Sequence, residues 1–330
     1  MSISVAHLSK IYRIHKKAPG LLNSISSLFL RQYESIPAVK DISFTVQSGE
    51  LIGFIGPNGA GKTTTLKCLS GLLYPTHGDI KVLGFNPFDR NKKFLQQIAL
   101  VMGQKNQLWW DLPPMETFLL NKEIYEIDDL QFKKTLAQLT DLLDVSKLLS
   151  IQVRKLSLGE RMKMELIAAL IHSPKVLFLD EPTIGLDVVM QKKVRDFIGD
   201  YNKLHQSTIL LTSHYMEDVR QLAQRVLVID RGQILYDGTL TNLVNKYAKY
   251  KTISIVLDEH VDVQLFRQYG QIDSIDYPKV TIKVARGQTK ATASALLQSL
   301  PINDLNIEEP DIEDIIRDVF SSSQQKPSRG

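Results

Sequence analysis

The sequence contains a single cysteine, Cys68, among its 330 residues. One thiol excludes an internal disulfide framework and favours a reducing compartment. No apolar run approaches the roughly 20 residues that a bilayer-spanning helix needs, and the first residues lack the apolar core of a signal peptide. The sequence therefore predicts a protein of the cytosol, or one that is held at a membrane only by a partner.

An excess of charge of one sign is also absent, because the formal net charge is only +4. This value is too small to indicate nucleic acid as a partner, although it suits a surface that faces anionic lipid headgroups. The length allows one large domain or two ordinary domains with buried cores. Alternating strands and helices over residues 1–240 predict an α/β fold with a mainly parallel sheet and an antiparallel part at the N-terminus.

Residues 56–64 read GPNGAGKTT and lie between the apolar run LIGFI and a helix-like segment. They fit the pattern GxxxxGK[ST] in the strand–loop–helix context of a phosphate-binding loop, in which backbone N–H groups and a helix N-terminus surround the phosphates. Lys62 is expected to neutralise the β- and γ-phosphates, and the Thr63 hydroxyl to bind Mg²⁺. The residues expected to contact the nucleotide are Gly56, Pro57, Asn58, Gly59, Ala60, Gly61, Lys62, Thr63 and Thr64.

Polar residues follow three of the predicted strands. Asp180 and Glu181 end the apolar strand VLFLD, at the edge where open α/β sheets bind ligands. We expect Asp180 to bind Mg²⁺, directly or through water, and Glu181 to polarise the water that attacks the γ-phosphate. His214 ends the next strand and is a candidate hydrogen-bond donor to the γ-phosphate, while Gln104 closes an earlier strand and offers an amide oxygen to the metal or the water.

Two other segments of the first 240 residues favour contact with a surface or a partner. An insertion at 16–36 separates the first two strands, and five of its apolar residues recur at helical spacing: Leu21, Leu22, Ile25, Leu28 and Phe29. This amphipathic helix with basic flanks either lies against a membrane or partner, or packs on the protein's own sheet. Trp109 and Trp110 stand together in a predicted surface loop, where a contact site and simple burial are equally supported.

The remaining chain contains no cluster of acids, histidines or nucleophiles that looks catalytic. A helical subdomain is predicted at about 113–172. From residue 241 the order β-α-β-β-α-β predicts an α+β, ferredoxin-like domain over 241–320, followed by a disordered tail at 321–330. Regulation, dimerisation or partner contact are the roles expected for this second domain.

The motifs GPNGAGKTT, Gln104, LSLGE, VLFLDEPTIGLD and TSH, in this order, resemble the nucleotide-binding subunit of ATP-binding cassette (ABC) transporters. The resemblance covers roughly residues 1–240 and implies a P-loop NTPase cassette that hydrolyses ATP with Mg²⁺. It implies that Gln104 is the Q-loop glutamine, Asp187 the D-loop aspartate and His214 the switch histidine. Tyr12 corresponds to the aromatic residue that stacks on adenine, but Tyr33 on the other side of the insertion is a rival.

The signature segment LSLGE departs from the family consensus LSGGQ, since Leu158 and Glu160 replace a glycine and a glutamine. In the family this segment crosses a head-to-tail dimer and closes on the γ-phosphate held by the other subunit. The Ser157 hydroxyl and the Gly159 N–H retain that capacity. Ser157-x-x-Glu160 is also an N-terminal capping box. We expect both roles, with Ser157 capping its helix in the open state and binding phosphate in the closed state.

LSLGERMKMEL, QKNQLWWDLP, the long insertion and EEPDIEDIIRDVF together resemble the subgroup of ATPase subunits that pair with separate export-type membrane subunits. This resemblance implies a protein at the cytoplasmic face of the membrane, with a second copy or a paralogous cassette and membrane permease subunits as partners, and no nucleic acid. The alternative is a non-transport ABC ATPase that acts on a nucleic-acid or ribosomal partner. A GTPase is disfavoured because the segments NKEI and NKLH, at Asn121 and Asn202, lack the aspartate of NKxD.

Overall fold

The computed structural model describes residues 1–15 and 33–324. It separates into two compact units, Met1–Asp237 and Gly238–Gly330, next to the boundary expected at residue 240. The predicted amphipathic helix lies outside the described residues. The predicted end of the insertion at residue 36 is wrong, because the second strand already begins at Tyr33 and pairs there with His15 of the first strand.

The first unit is built on a six-stranded sheet with the order β5-β6-β7-β3-β8-β9. Its strands are β3 (Leu51–Ile55), β5 (Ile98–Met102), β6 (Val176–Asp180), β7 (Thr208–Thr212), β8 (Arg225–Asp230) and β9 (Gln233–Thr239). The first five strands in this order, from β5 to β8, run parallel to one another. Every residue of β3, β6 and β7 is buried, as expected for a sheet covered on both faces. The carboxyl ends of the parallel strands therefore meet at one edge.

An antiparallel sheet of three strands completes the predicted mixed architecture of this unit, in the order β2-β1-β4. Its strands are β1 (Ile3–His15), β2 (Tyr33–Val46) and β4 (His77–Val82). Alternate residues of this sheet, such as Ile42 and Phe44, are buried in the same apolar cluster as Phe54 and Phe178 of the parallel sheet. One hydrophobic core thus fixes the position of both sheets around the loop after β3.

Seven α-helices are described in the first unit. They are α1 (Lys62–Leu69), α2 (Lys92–Leu95), α3 (Pro114–Tyr125), α4 (Asp129–Leu143), α5 (Leu158–Leu170), α6 (Val188–His205) and α7 (Met216–Leu222). Helices α3 to α5 lie within the predicted helical subdomain. Short 3-10 helices occur at Pro87–Asp89, Ser146–Leu148 and Val153–Lys155. None of the helices in the described ranges is long and apolar enough to cross a bilayer.

The second unit holds a four-stranded antiparallel sheet with the order β11-β12-β10-β13. Its elements are α8 (Leu240–Tyr247), β10 (Tyr250–Leu257), a 3-10 helix (Val263–Gln268), β11 (Gln271–Asp276), β12 (Lys279–Ala285), a 3-10 helix (Arg286–Gln288), α9 (Thr289–Ser299), β13 (Ile302–Glu308) and α10 (Ile312–Gln324). The element order is β-α-β-β-α-β, with a 3-10 helix at the first helical position.

The predicted disordered tail at 321–330 begins too early. Helix α10 continues to Gln324, and the Ser321 hydroxyl donates a hydrogen bond to the Arg317 carbonyl at 2.9 Å, within this last helix. The physical reason is that no helix-breaking proline or glycine occurs before Pro327. Residues 325–330 lie outside the described part of the chain.

Candidate nucleotide-binding and hydrolysis site

The loop of residues 56–61 joins β3 to α1 and is shaped by two glycines that cannot be replaced. Gly61 precedes α1 with a φ of 107°, and a Cβ on it would lie 2.5 Å from the Ala38 carbonyl oxygen. A Cβ on Gly56 would lie 2.2 Å from the Ile229 carbonyl oxygen. Both positions therefore require glycine, because only glycine allows backbone to approach backbone this closely.

Lys62, the first residue of α1, places its ammonium group inside this loop. Its Nζ donates hydrogen bonds to the Gly56 carbonyl at 2.6 Å and to the Pro57 carbonyl at 3.1 Å. Burial lowers the pKa of Lys62, and the nearby carboxylates of Glu181 and Asp180 act in the opposite direction. A buried cation beside the N-terminus of a helix forms a local environment that favours an anion such as phosphate.

Asp180, at the end of β6, is held on both of its carboxylate oxygens. The Thr63 hydroxyl donates to Oδ2 and the Thr212 hydroxyl donates to Oδ1, each at 2.7 Å. Sequence reasoning missed the role of Thr212. Only the position of Thr212 could have indicated this role. Asp180 and Thr212 are the last residues of two adjacent parallel strands and are paired in the register. The result is a fixed pair of oxygen ligands, one hydroxyl and one carboxylate, next to the phosphate-binding loop.

These oxygens fit Mg²⁺. The ion is bound in phosphate-transfer sites by one or two protein carboxylates together with phosphate oxygens and waters, so a closed protein cage is not needed. Residues 1–15 and 33–324 contain no cluster of three or more histidine, cysteine or acidic side chains that could hold a metal ion by itself. Thr63, Asp180 and Gln104, the three residues that the sequence suggests for the metal, line one small cleft.

Glu181 brings the other predicted site residues together. His214 Nε2 lies 2.5 Å from Glu181 Oε1, and the Gln104 amide nitrogen donates to Glu181 Oε2 at 3.4 Å. The backbone of Glu181 adopts a left-handed conformation with a φ of 56°, while its N–H bonds to the Thr212 carbonyl and hydroxyl, both at 3.1 Å. The carboxylate lies beside His214 and Gln104 at the edge of the sheet, where it can orient a water molecule.

The signature segment begins helix α5 with the predicted capping box, which the structure confirms. The Glu160 N–H donates to the Ser157 hydroxyl at 3.3 Å, and the Ser157 N–H donates to Glu160 Oε2 at 2.8 Å. Hydrogen bonds from the Ser157 backbone and hydroxyl lower the pKa of Glu160. The carboxylate of Glu160 therefore folds back on its own helix end. This contact explains why an acid is tolerated in a segment that is expected to lie near phosphate.

Gly159 and Asp187 are linked through one residue of α6. A Cβ on Gly159 would lie 2.6 Å from Cγ of Met190, and the Asp187 carboxylate accepts a hydrogen bond from the Met190 N–H at 2.9 Å as the N-cap of α6. A side chain at position 159 would therefore displace the Met190 side chain. The predicted signature and D-loop residues are thus packed together.

Of the two tyrosines considered for adenine, the structure places Tyr12 beside the loop. Its hydroxyl lies 3.4 Å from the Thr64 hydroxyl. Tyr33 is 57% exposed and pairs with His15, further along the β1–β2 ladder than Tyr12, which pairs with Ile36. This geometry favours Tyr12 as the residue that stacks on adenine.

Comparison with known proteins agrees with this site. Residues 39–184 match the family model described as ABC transporter, and residues 249–308 match the model described as EvrA-like ABC transporter, C-terminal domain. The ABC transporter ATP-binding protein NatA of Bacillus subtilis (strain 168) is 33% identical over 222 residues, which cover 67% of this chain and 90% of NatA. The chain belongs to the ABC transporter family.

Two further relatives extend the similarity. The bacitracin transport ATP-binding protein BcrA of Bacillus licheniformis is 31% identical, with 73% of this chain and 78% of BcrA covered. The linearmycin resistance ATP-binding protein LnrL of Bacillus subtilis (strain 168) is 27% identical, with 86% of this chain and 93% of LnrL covered. This ABC transporter subunit therefore binds and hydrolyses ATP, with Mg²⁺ as its cofactor.

Solved structures show the same fold. The ATP-binding subunit of an ABC transporter superposes with a TM-score of 0.62 at 22% identity, covering 75% of this chain and 93% of that one. A dimeric ATP-binding cassette bound to ADP and Pi superposes with a TM-score of 0.61 at 20% identity, covering 72% of this chain and 98% of that one. The first unit of this ABC ATPase thus has the cassette fold, as the sequence predicts.

Proposed function

We propose that this ABC ATPase drives export through separate membrane subunits, as a head-to-tail dimer with a second copy or a paralogous cassette. The proposal is carried by the observation that the site residues of one chain fall into two separate groups. Lys62, Asp180 and Glu181 converge at one edge of the sheet, whereas Ser157 is bonded within its own helix end. Ser157 and Gly159 of one cassette would then complete the site of the other.

The residues of one chain account for most of the chemistry. The loop N–H groups and Lys62 bind the phosphates, while Thr63 and Asp180 hold Mg²⁺, with Gln104 beside them. Mg²⁺, when bound, supplies positive charge at the β- and γ-phosphates. Glu181 orients and polarises the attacking water, and His214 fixes Glu181 and donates to the γ-phosphate. Phosphoryl transfer needs little beyond this positioning and charge stabilisation.

A surface for the membrane subunits is proposed at the loop of residues 107–112. Trp109 and Trp110 are 53% and 49% exposed, which favours a contact site over simple burial. Two contacts hold the loop in place. The Arg154 N–H donates a hydrogen bond to the Trp110 carbonyl at 3.0 Å, and the Arg161 guanidinium lies 5.5 Å from the Trp110 ring centre. Two large rings are thus presented to a partner on a fixed support.

The buried carboxylate of Glu165 connects this surface to the signature helix. It accepts hydrogen bonds from the N–H groups of Gln107 at 2.9 Å and Leu108 at 3.3 Å. Glu165 lies on α5, whose N-cap is Ser157. A displacement of the loop by a membrane subunit would therefore be passed to the signature segment. We place the protein at the cytoplasmic face of the membrane, bound through these subunits.

The test is co-purification of the tagged chain from its own cells in mild detergent, followed by identification of the partners by mass spectrometry. We expect an integral membrane permease with the unaltered chain, and its loss with the double variant Trp109→Ala, Trp110→Ala. Leu130→Ala is the matched control, because Leu130 is an exposed apolar residue of the same helical subdomain. All three proteins should bind ATP equally. Stable association with ribosomes or nucleic acid in place of a permease would overturn the proposal.

A further inference from the structure

One buried carboxylate near the site has no role in the chemistry described so far. Asp218, on helix α7, is 1% exposed. It accepts three hydrogen bonds, from the Thr183 hydroxyl at 2.5 Å, from the Ser213 hydroxyl at 2.7 Å and from the Arg195 guanidinium at 2.7 Å. The three donors come from three different segments of the chain, so Asp218 is the point at which these segments are joined.

Two of these segments carry a residue of the hydrolysis site. Thr183 lies two residues after Glu181, and Ser213 directly precedes His214. The Ser213 hydroxyl also accepts a hydrogen bond from the Tyr215 N–H at 3.0 Å, so the backbone is held on both sides of His214. Asp218 thus binds one residue close in sequence to Glu181 and one residue next to His214.

The third segment is helix α6, which carries Arg195 and is capped at its start by Asp187. Arg195 is 6% exposed, and in the part of the chain that the structure describes its Nε has no hydrogen-bond partner. The ion pair with Asp218 therefore compensates for the removal of the guanidinium charge from water.

The cost of such an arrangement argues for a role beyond stability. Removing two opposite charges from water is unfavourable, and apolar residues of similar volume often stabilise a fold as well or better. A buried carboxylate with three fixed donors instead sets distances and directions. In this structure the groups it fixes are the flanks of Glu181, His214 and the helix that follows Asp187.

We propose that Asp218 is a positioning residue for ATP hydrolysis, which sets the contact between His214 Nε2 and Glu181 Oε1 by holding Thr183 and Ser213. The proposal rests on the roles assigned to Glu181 and His214 in the proposed function. Asp218 acts on the hydrolysis step through these residues and does not touch the nucleotide.

The first test compares Asp218→Asn with the control Glu217→Gln, which changes a partly exposed acid on the same helix. Asparagine keeps the shape but offers one acceptor oxygen in place of two. We expect kcat for ATP to fall about 10- to 100-fold, as for a small misplacement of reacting groups, while KM changes less than about twofold. Glu217→Gln should leave both constants unchanged. Unchanged kcat in folded Asp218→Asn, or an equal effect on KM and kcat, would overturn the proposal.

The second test is a double-mutant cycle of Asp218→Asn with His214→Ala. If Asp218 acts through His214, the substitution at position 218 has little further effect on kcat once His214 is removed, whereas full additivity contradicts the proposal. Ser213→Ala and Thr183→Val each remove one donor and replace Asp218→Asn in the cycle if that variant does not fold. Glu181→Gln is measured in parallel. Normal turnover in Glu181→Gln rejects the underlying roles, while an inactive Glu181→Gln beside a fully active Asp218→Asn rejects only the role of Asp218.

Discussion

Glu181 and His214 are in direct contact, with 2.5 Å between Oε1 of the carboxylate and Nε2 of the imidazole. The contact follows from the sheet, because Glu181 comes directly after β6 and His214 shortly after the neighbouring parallel strand β7. The other carboxylate oxygen accepts a hydrogen bond from Gln104, which follows β5. The carboxylate that follows β6 is thus contacted by one side chain from each of the two segments that follow its neighbours, β5 and β7.

Replacing Glu181 by glutamine separates binding of ATP from its hydrolysis. The variant Glu181→Gln keeps the side-chain shape but loses the charge that polarises water, so we expect ATP binding to persist and phosphate release to fall at least about 100-fold. ATP should then hold two chains together, which light scattering with and without Mg-ATP detects. Glu123→Gln, an exposed acid of α3, should behave as the unaltered chain. Undiminished phosphate release from Glu181→Gln would refute its assignment as the catalytic acid–base residue.

The two tyrosines can be separated by a ligand that lacks adenine. Since stacking of a base on an aromatic ring contributes about 1–3 kcal/mol, Tyr12→Ala should weaken ATP binding about 5- to 150-fold. The same variant should bind inorganic tripolyphosphate as the unaltered chain does. Tyr33→Ala is the matched control and should change neither affinity. Calorimetric titration measures both ligands, and a larger loss for ATP in Tyr33→Ala would reverse the assignment.

The parts of the site that the sequence predicts are those set by local chemistry. The GPNGAGKTT loop, the paired acids after VLFL and the Ser157–Glu160 capping box each depend on residues a few positions apart, so their patterns carry the geometry. Thr212 does not belong to this group. Its contact with Asp180 depends on the register of two strands that are distant in sequence, which no local pattern specifies.

The same distinction explains where the predicted elements differ from the fold. Strand β2 starts earlier than its apolar alternation indicates because β1 continues to His15 and supplies a hydrogen-bonding partner for the polar residues Ser35 and Glu34. The environment of Asp218 is another feature that the local sequence does not specify. On the short polar segment MEDVRQL nothing distinguishes Asp218 from Glu217, and its burial depends on partners that are distant in sequence, such as Arg195 on another helix.

Glu160 provides a test of whether the altered signature has a special role in turnover. Glutamine can accept the same hydrogen bond from the Ser157 N–H, so Glu160→Gln should retain ATPase activity within about twofold and lose less than about 1 kcal/mol of unfolding free energy. Glu160→Ala removes this bond and should lose about 1 kcal/mol, as for a lost cap. Urea unfolding and phosphate release measure the two effects. A large loss of ATPase activity in stable Glu160→Gln would show that the carboxylate itself acts in turnover.

His172 links the stability of the first unit to pH. Its ring stacks on Tyr125 with 3.8 Å between centroids, and its Nε2 lies 3.0 Å from the Ile98 carbonyl oxygen. In the described chain its buried Nδ1 has no hydrogen-bond partner. Burial lowers the pKa of His172 from 6.5 to about 4, against a smaller effect of the Ile98 bond. The folded protein thus keeps this imidazole neutral at a pH where the unfolded chain binds a proton.

The sign of the effect follows from this difference in proton binding. Between pH 6.5 and about 4 the unfolded state holds more protons at this residue, so its contribution to stability is lost as the pH falls through this window. At about 1.4 kcal/mol per pKa unit, the loss is at most about 3 kcal/mol. His172→Phe keeps the stacked ring but cannot titrate. It should be less stable than the unaltered chain at pH 7.5 by about 1 kcal/mol, for the lost hydrogen bond, and this deficit should shrink as the pH is lowered to 5.

Urea unfolding at pH 7.5, 6 and 5 measures this dependence, with the fluorescence of Trp109 and Trp110 as the signal, because both lie in the same unit as His172. His260→Phe is the control. His260 is an exposed residue of the second unit, so its replacement should leave the pH dependence of the first unit unaltered. If His172→Phe and the unaltered chain lose stability in parallel between pH 7.5 and 5, the acid sensitivity of this unit comes from groups other than the stacked imidazole.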